Sequence, residues 1–149
     1  MSQEPTLTGQ DIGQAEKATR AVLDSLLADA KTRFHEWVAI RLVAKSGGSL
    51  DHTDVVNQMV HGLKITAEDA TSTLAALEAA DLVRRDRTDA ASVVLTSSGS
   101  AVFDEINAGV QQVTEHIYGD IPVADLVTAR RVLAIVTERA NAILAAHAS

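Results

Sequence analysis

The sequence contains no cysteine. Disulfides, thiolate metal sites and a cysteine nucleophile are excluded, and the composition suits a reducing compartment. Aromatic residues make up only 3% of the 149 residues, so large rings cannot dominate the core. Alanine supplies much of the 46% apolar content, and small side chains bury little area each. Such a chain needs helix-to-helix contact over a wide surface, and a partner subunit is one source of it. No apolar run approaches the roughly 18 residues that a membrane span needs. The opening residues MSQEPTLTGQ lack the basic-then-apolar layout of a secretory signal. A cytoplasmic protein is expected.

Reactive constellations are equally sparse. The histidines are His35, His52, His61, His116 and His147, and none forms the His-x3-His pair that holds zinc from one helix face. Gly47-Gly48 lacks the lysine and spacing of a phosphate-binding loop. Asp104 and Glu105 are adjacent, so on a helix they face different ways and do not make an acid/base pair. No Gly-x-Ser-x-Gly nucleophile elbow exists. Neither an enzyme nor a cofactor or metal is expected.

What is present is helical periodicity interrupted once. Ile12, Ala15, Thr19, Val22, Leu26 and Ala30, widened by Leu23 and Leu27, predict a first helix from about Thr8–Asp11 to Ala30. Thr32 is the expected cap of a second helix to Lys45, with Trp37, Ile40, Val43 and Ala44 inward. The run Ser46-Gly47-Gly48-Ser49 breaks it. Asp51 or Thr53 caps a short third helix with Val55, Val56 and Met59 inward, closed at His61-Gly62. Thr66, with Asp69 three residues later, opens a fourth helix whose buried face is Ala70, Leu74 and Leu77.

Leu82-Val83-Arg84-Arg85 and Ser92-Val93-Val94-Leu95 are the only strand-like pieces, and Asp86–Ala91 between them reads as a hairpin tip. Thr96 or Ser97 caps a fifth helix striped by Val102, Ile106, Val110, Val113 and Ile117. After Gly119-Asp120-Ile121-Pro122 a sixth helix repeats Leu126, Ala129, Leu133, Val136, Ala140 and Ile143. The expected fold is mainly α, about six helices with a small β-hairpin wing: a winged helix-turn-helix. Terminal helices this apolar exceed what a small winged unit can cover, so a homodimer is expected. The division is residues 1–31 for an N-terminal dimerisation helix, 32–97 for the winged lobe and 98–149 for C-terminal dimerisation helices.

Charge opposes the usual use of such a module. The net charge is −7, and between Leu50 and Thr96 four basic residues face eight acidic ones, a balance of −4. A nucleic-acid binder needs a local basic face. The cluster Arg84, Arg85 and Arg87 is either a solvated strand edge that blocks sheet pairing or a wing contact to phosphate or the minor groove. Glu68 and Asp69 are either first-turn acids favoured by the helix dipole or marks of lost or highly selective DNA binding.

The segments Leu77–Arg85 (LEAADLVRR) and Leu95–Gly99 (LTSSG), together with the closing helix Ala129–Ile143 (ARRVLAIVTERANAI), resemble the MarR family of bacterial transcription regulators. The resemblance covers nearly the whole chain. It implies a homodimer that binds a pseudo-palindromic double-stranded operator, often with affinity altered by a small ligand held between the dimer lobe and the winged lobe. It places Thr66, Glu68, Thr71, Ser72, Arg84, Arg85 and Arg87 at the DNA. It places Arg33, His35, Trp37 and Arg41, with His116 across from them, at a pocket suited to a small aromatic or phenolic carboxylate. Two departures stand out. The family's recognition-helix start, often Pro-Ser-Thr-Val-Ser-Arg, falls on Ala67 to Ser72, so hydroxyls have become Glu68 and Asp69 and the basic position has become Ser72. Asp81 occupies a position where the family favours glycine, and the usual Asp-x-Arg wing tip is reversed as Arg87-Thr88-Asp89. The alternative is therefore a winged-helix dimer that binds a small ligand or protein partner and has lost sequence-specific DNA binding.

Overall fold

A computed structural model describes residues 6–148. The order of elements is α1 (Gly9–Asp29), α2 (Phe34–Lys45), β1 (Ser49–Asp51), α3 (His52–Leu63), α4 (Ala67–Ala79), β2 (Val83–Arg85), β3 (Ser92–Leu95), α5 (Ser97–Tyr118) and α6 (Val123–Ala148). The described residues form two compact units, 6–111 and 112–148.

Local chemistry sets the helix ends in the first unit. Thr8 and Asp11 form a reciprocal capping box at the start of α1: the Asp11 carboxylate accepts from the Thr8 N–H at 2.9 Å, and Thr8 Oγ1 accepts from the Asp11 N–H at 3.3 Å. The expected Thr32 cap of α2 is corrected to Arg33, whose N–H donates to the Glu36 carboxylate at 2.9 Å. Thr32 is engaged in closing α1 instead. Lys31 turns left-handed (φ 55°), and the Thr32 N–H then reaches back to the Leu27 carbonyl at 2.9 Å. Asp51 caps α3 by accepting from the Thr53 N–H at 2.9 Å. That helix passes through Gly62 rather than stopping at it. It ends on Lys64, left-handed at φ 58°, whose N–H donates to the Val60 carbonyl.

The sheet has three antiparallel strands in the order β1-β3-β2, one more than the hairpin expected. Val83 pairs with Leu95 and Arg85 with Val93, while Ser49 pairs with Val94 and Asp51 with Ser92. β1 was hidden because three residues are too few to show a period. The pairing is made by backbone after Gly47 (φ 82°) and Gly48 (φ 95°) turn the chain beside β3, where the Leu95 N–H donates to the Gly48 carbonyl at 3.0 Å.

Two cores result. One joins α2, α3, α4 and the sheet through Ile40, Val43, Val55, Met59, Ala70, Leu74, Leu77, Val83 and Val93. The other joins α1, α2 and α5 through Leu27, Trp37 and Ile106. Trp37 is buried at 4% exposure, and its ring stacks on Phe103 with centroids 5.7 Å apart.

The second unit is the end of α5, a turn, and α6. The Gly119 N–H closes α5 on the Glu115 carbonyl, and the Asp125 and Leu126 N–H groups both donate to the Pro122 carbonyl at the start of α6. No residue of α6 is buried; Val123, Val127 and Ile143 are 74%, 63% and 60% exposed.

Candidate nucleic-acid interface

The α4 helix buries Ala70, Leu74 and Leu77 and leaves Glu68, Asp69, Thr71, Ser72, Ala75, Ala76, Glu78 and Ala79 exposed. Thr66 is its N-cap, with Oγ1 accepting from the Asp69 N–H at 3.0 Å. A helix anchored by Ala70, Leu74 and Leu77 on one side, with an uncovered opposite side, can enter a groove. Its exposed residues supply two carboxylates in the first turn, two free-facing hydroxyls and several methyl groups. They supply no cation.

The cations lie on the wing. Arg84 and Arg85 leave β2 exposed, and Arg87 stands in the tip. Arg85 Nη1 donates to the Ala90 carbonyl at 2.9 Å, tying the two sides of the tip together, and Arg84 Nη1 donates to the Arg85 carbonyl at 3.3 Å. Arg87 has no hydrogen bond or ion pair among the described residues.

Much of the nearby acid is occupied by the turn itself. The Asp86 carboxylate accepts from both the N–H and the hydroxyl of Thr88 at 2.9 Å, which holds its pKa below the ordinary 3.8. Asp89 accepts from the Ala91 N–H and the Ser92 hydroxyl, each at 3.1 Å. With Asp51 capping α3, three of the segment's acids are committed to backbone N–H groups. These hydrogen bonds from neutral donors fix where the carboxylates sit and leave them ionised, so the −4 balance stands.

At the foot of the wing, His52 donates its backbone N–H to the Ala91 carbonyl at 2.7 Å. Burial, and then the Arg85 charge, lower its imidazole pKa from 6.5. The wing is also fastened to α5. Thr96 Oγ1 donates to the Asp81 carbonyl at 2.6 Å and accepts from the Gly99 N–H at 3.0 Å. Asp81 is left-handed at φ 60°, which gives the physical reason a glycine suits that position. Gly99 is buried, and a Cβ there would fall on the Leu82 carbonyl. The LTSSG segment is thus a clamp between the end of α4 and the start of α5.

A cavity of about 700 Å³ opens between the α1–α2 corner and α4. Arg20, Lys31, Arg33, Phe34, His35 and Glu36 line one side, and Ser72, Thr73 and Ala76 the other. The Arg20 guanidinium lies 3.2 Å from the Phe34 ring centroid, an arrangement of cation over ring face. Its Nη1 is 3.4 Å from Glu16, and its Nε is 3.6 Å from Asp24 without a hydrogen bond. Of the expected pocket residues, Arg33 and His35 line this cavity. Trp37 is core, Arg41 is exposed outside the lining, and His116 is exposed on the part of α5 that belongs to the unit 112–148. The sequence reasoning did not find Arg20, Lys31 or Phe34. Nothing in their spacing ties an α1 residue to the corner that follows it; only the i+4 acids around Arg20 mark it as held in place.

No family model and no curated protein matches the sequence. The fold, however, is similar to solved transcriptional regulators. Ligand-free NadR superposes with a TM-score of 0.75 at 26% identity, covering 93% of this chain and 98% of that one. NadR bound to 4-hydroxyphenylacetate gives 0.72 at 26% identity, over 89% of this chain and 96% of that one. A Mycobacterium tuberculosis MarR family protein solved with DNA gives 0.66 at 17% identity, over 89% and 98%.

Proposed function

We propose, from the premise that the chain is a MarR-family winged helix-turn-helix regulator, that it acts as a homodimer on a pseudo-palindromic double-stranded operator and responds to a small ligand. The observation that carries the reading is the pairing of an uncovered α4 with a wing whose Arg87 is unpartnered. One element is free to enter a major groove and the other to meet flanking phosphate. Thr66, Glu68, Thr71 and Ser72 are the groove residues, and Arg84, Arg85 and Arg87 the wing residues. The dimer is made by residues 1–31 and 98–149, on the argument that α6 buries none of its own apolar residues and that helices so exposed pair with a second copy. The segment 32–97 carries the winged lobe.

The ligand reading rests on the cation-and-ring chemistry of Arg20, Arg33, His35 and Phe34 around the α1–α2 cavity, and on the 4-hydroxyphenylacetate held by NadR. A small aromatic or phenolic carboxylate suits such a lining. No helix of the described residues is long and apolar enough to cross a membrane. On its likeness to transcriptional regulators, we read the protein as a cytoplasmic regulator rather than an enzyme.

A mobility shift with DNA taken from beside the protein's own gene tests this. Binding that survives excess unrelated competitor DNA is the expected result. Absence of any shift at about 10 µM protein, far weaker than ordinary specific affinities, favours the second reading, a ligand- or protein-binding dimer without operator recognition, which the −4 balance of the winged segment supports.

A further inference from the structure

We infer that Glu68 is a base-reading residue that selects cytosine in each half of the operator. The inference rests on the DNA-binding reading above.

An α-helix turns 100° per residue. On α4, Glu68, Ser72, Ala75 and Ala79 recur at spacings of four, three and four and are all exposed, on the side away from buried Ala70, Leu74 and Leu77. This is the face a groove receives, and Glu68 lies in its first turn, the end that reaches base edges in helix-turn-helix docking. Its carboxylate makes no hydrogen bond or ion pair among the described residues, while the side-chain cap of the helix is made by Thr66 Oγ1 on the Asp69 N–H at 3.0 Å.

The chemistry of that face restricts what it can read. The α4 sequence AEDATSTLAALEA contains no lysine or arginine, so the paired acceptors of guanine find no cationic fork. It contains no asparagine or glutamine, so the paired donor and acceptor of adenine find no amide. An ionised carboxylate only accepts. In the major groove its best partner is the cytosine N4 amine, which has no acceptor beside it on that base; the adenine N6 amine also donates but sits next to the repelling N7, and guanine N7 and O6 and thymine O4 offer acceptors only. The Ser72 hydroxyl accepts either sense, and the Ala75 and Ala79 methyls suit a thymine methyl. A carboxylate placed in a groove lined by phosphates is repelled unless it meets a donor, so Glu68 penalises wrong bases as much as it rewards the right one.

The test is selection from a duplex library randomised over thirty base pairs, with the full chain and its Glu68→Ala and Glu68→Gln variants. The exposed site keeps both variants folded, which a thermal melt verifies. The wild type is expected to enrich an inverted repeat with a fixed cytosine in each half. Replacing that base pair should weaken binding about 5- to 150-fold. Glu68→Ala should lose the preference at that position and keep the rest of the motif. Glu68→Gln should move it to adenine, whose N6 and N7 an amide matches. One motif shared by all three proteins, or a cytosine that survives both substitutions, would overturn the role of Glu68 and leave operator binding standing. Failure of all three to enrich any motif would overturn the operator-binding reading itself.

Discussion

Replacing Arg87 with alanine isolates the electrostatic part of DNA binding. Arg84 and Arg85 are poor choices, because both donate to hairpin carbonyls and their loss would loosen the tip. Arg87 is exposed and unpartnered, so its removal leaves the fold and its melting temperature unchanged. If each wing places this guanidinium on one phosphate, a dimer releases two counterions through the pair. The slope of log affinity against log salt then shallows by about 1.8 in the variant. Between about 50 and 200 mM salt, the wild type loses roughly tenfold more affinity than the variant does. Fluorescence anisotropy with a labelled operator duplex over that range reads both slopes. The weakening should be uniform across operator sequences, since phosphate carries no sequence information. Parallel slopes in wild type and variant would refute the contact, and would make the wing cluster a solvated strand edge.

Gly99→Ala should destabilise the fold by about 1–3 kcal/mol in chemical denaturation, since the new Cβ meets the Leu82 backbone carbonyl and overpacking exceeds the gain in helix propensity. Asp81→Gly should stabilise by about 1 kcal/mol by relieving a left-handed residue at φ 60°, and an unchanged midpoint would count against strain there. Trp37→Ala should cost about 3–5 kcal/mol, because the ring is core stacked on Phe103. His52 has a folded pKa below its ordinary 6.5, owing to burial and Arg85. The unfolded chain therefore binds the extra proton first. The His52 contribution is complete above pH 6.5 and is lost as pH falls from there through the folded value. A His52→Gln variant should lack that part of the pH dependence, measured as melting temperature across pH 5–8.

The long elements were legible in the sequence because periodicity over three or more turns leaves little freedom. The stripe Ala70, Leu74, Leu77 became the buried face of α4 and Thr66 its cap as read; α1 starts within the expected Thr8–Asp11 span, capped by Thr8, and of the two candidates Asp51 and Thr53 it is Asp51 that caps α3. Short backbone-made features were not legible. β1 is three residues paired through N–H and C=O groups that every residue owns, and the α1–α2 junction depends on a left-handed Lys31 that no propensity favours. The wing tip was visible as polar residues, but only the geometry shows that Asp86 and Asp89 are committed to the turn. The cavity illustrates the same limit. Arg33 and His35 were found from the second helix, whereas Arg20 reaches the site from α1 and Trp37 turns inward to the core. Burial of a single tryptophan cannot be told from a ligand wall by spacing alone.

Sedimentation velocity of the protein with a fluorescent duplex from its own upstream region tests the central claim most directly, because it reads assembly and binding together. The account predicts one boundary containing two chains per duplex, formed at nanomolar protein near 150 mM salt, within the range of specific complexes, and a dimer when DNA is absent. A folded monomer at micromolar concentration, or duplex that sediments alone at any protein concentration up to about 10 µM, would contradict it.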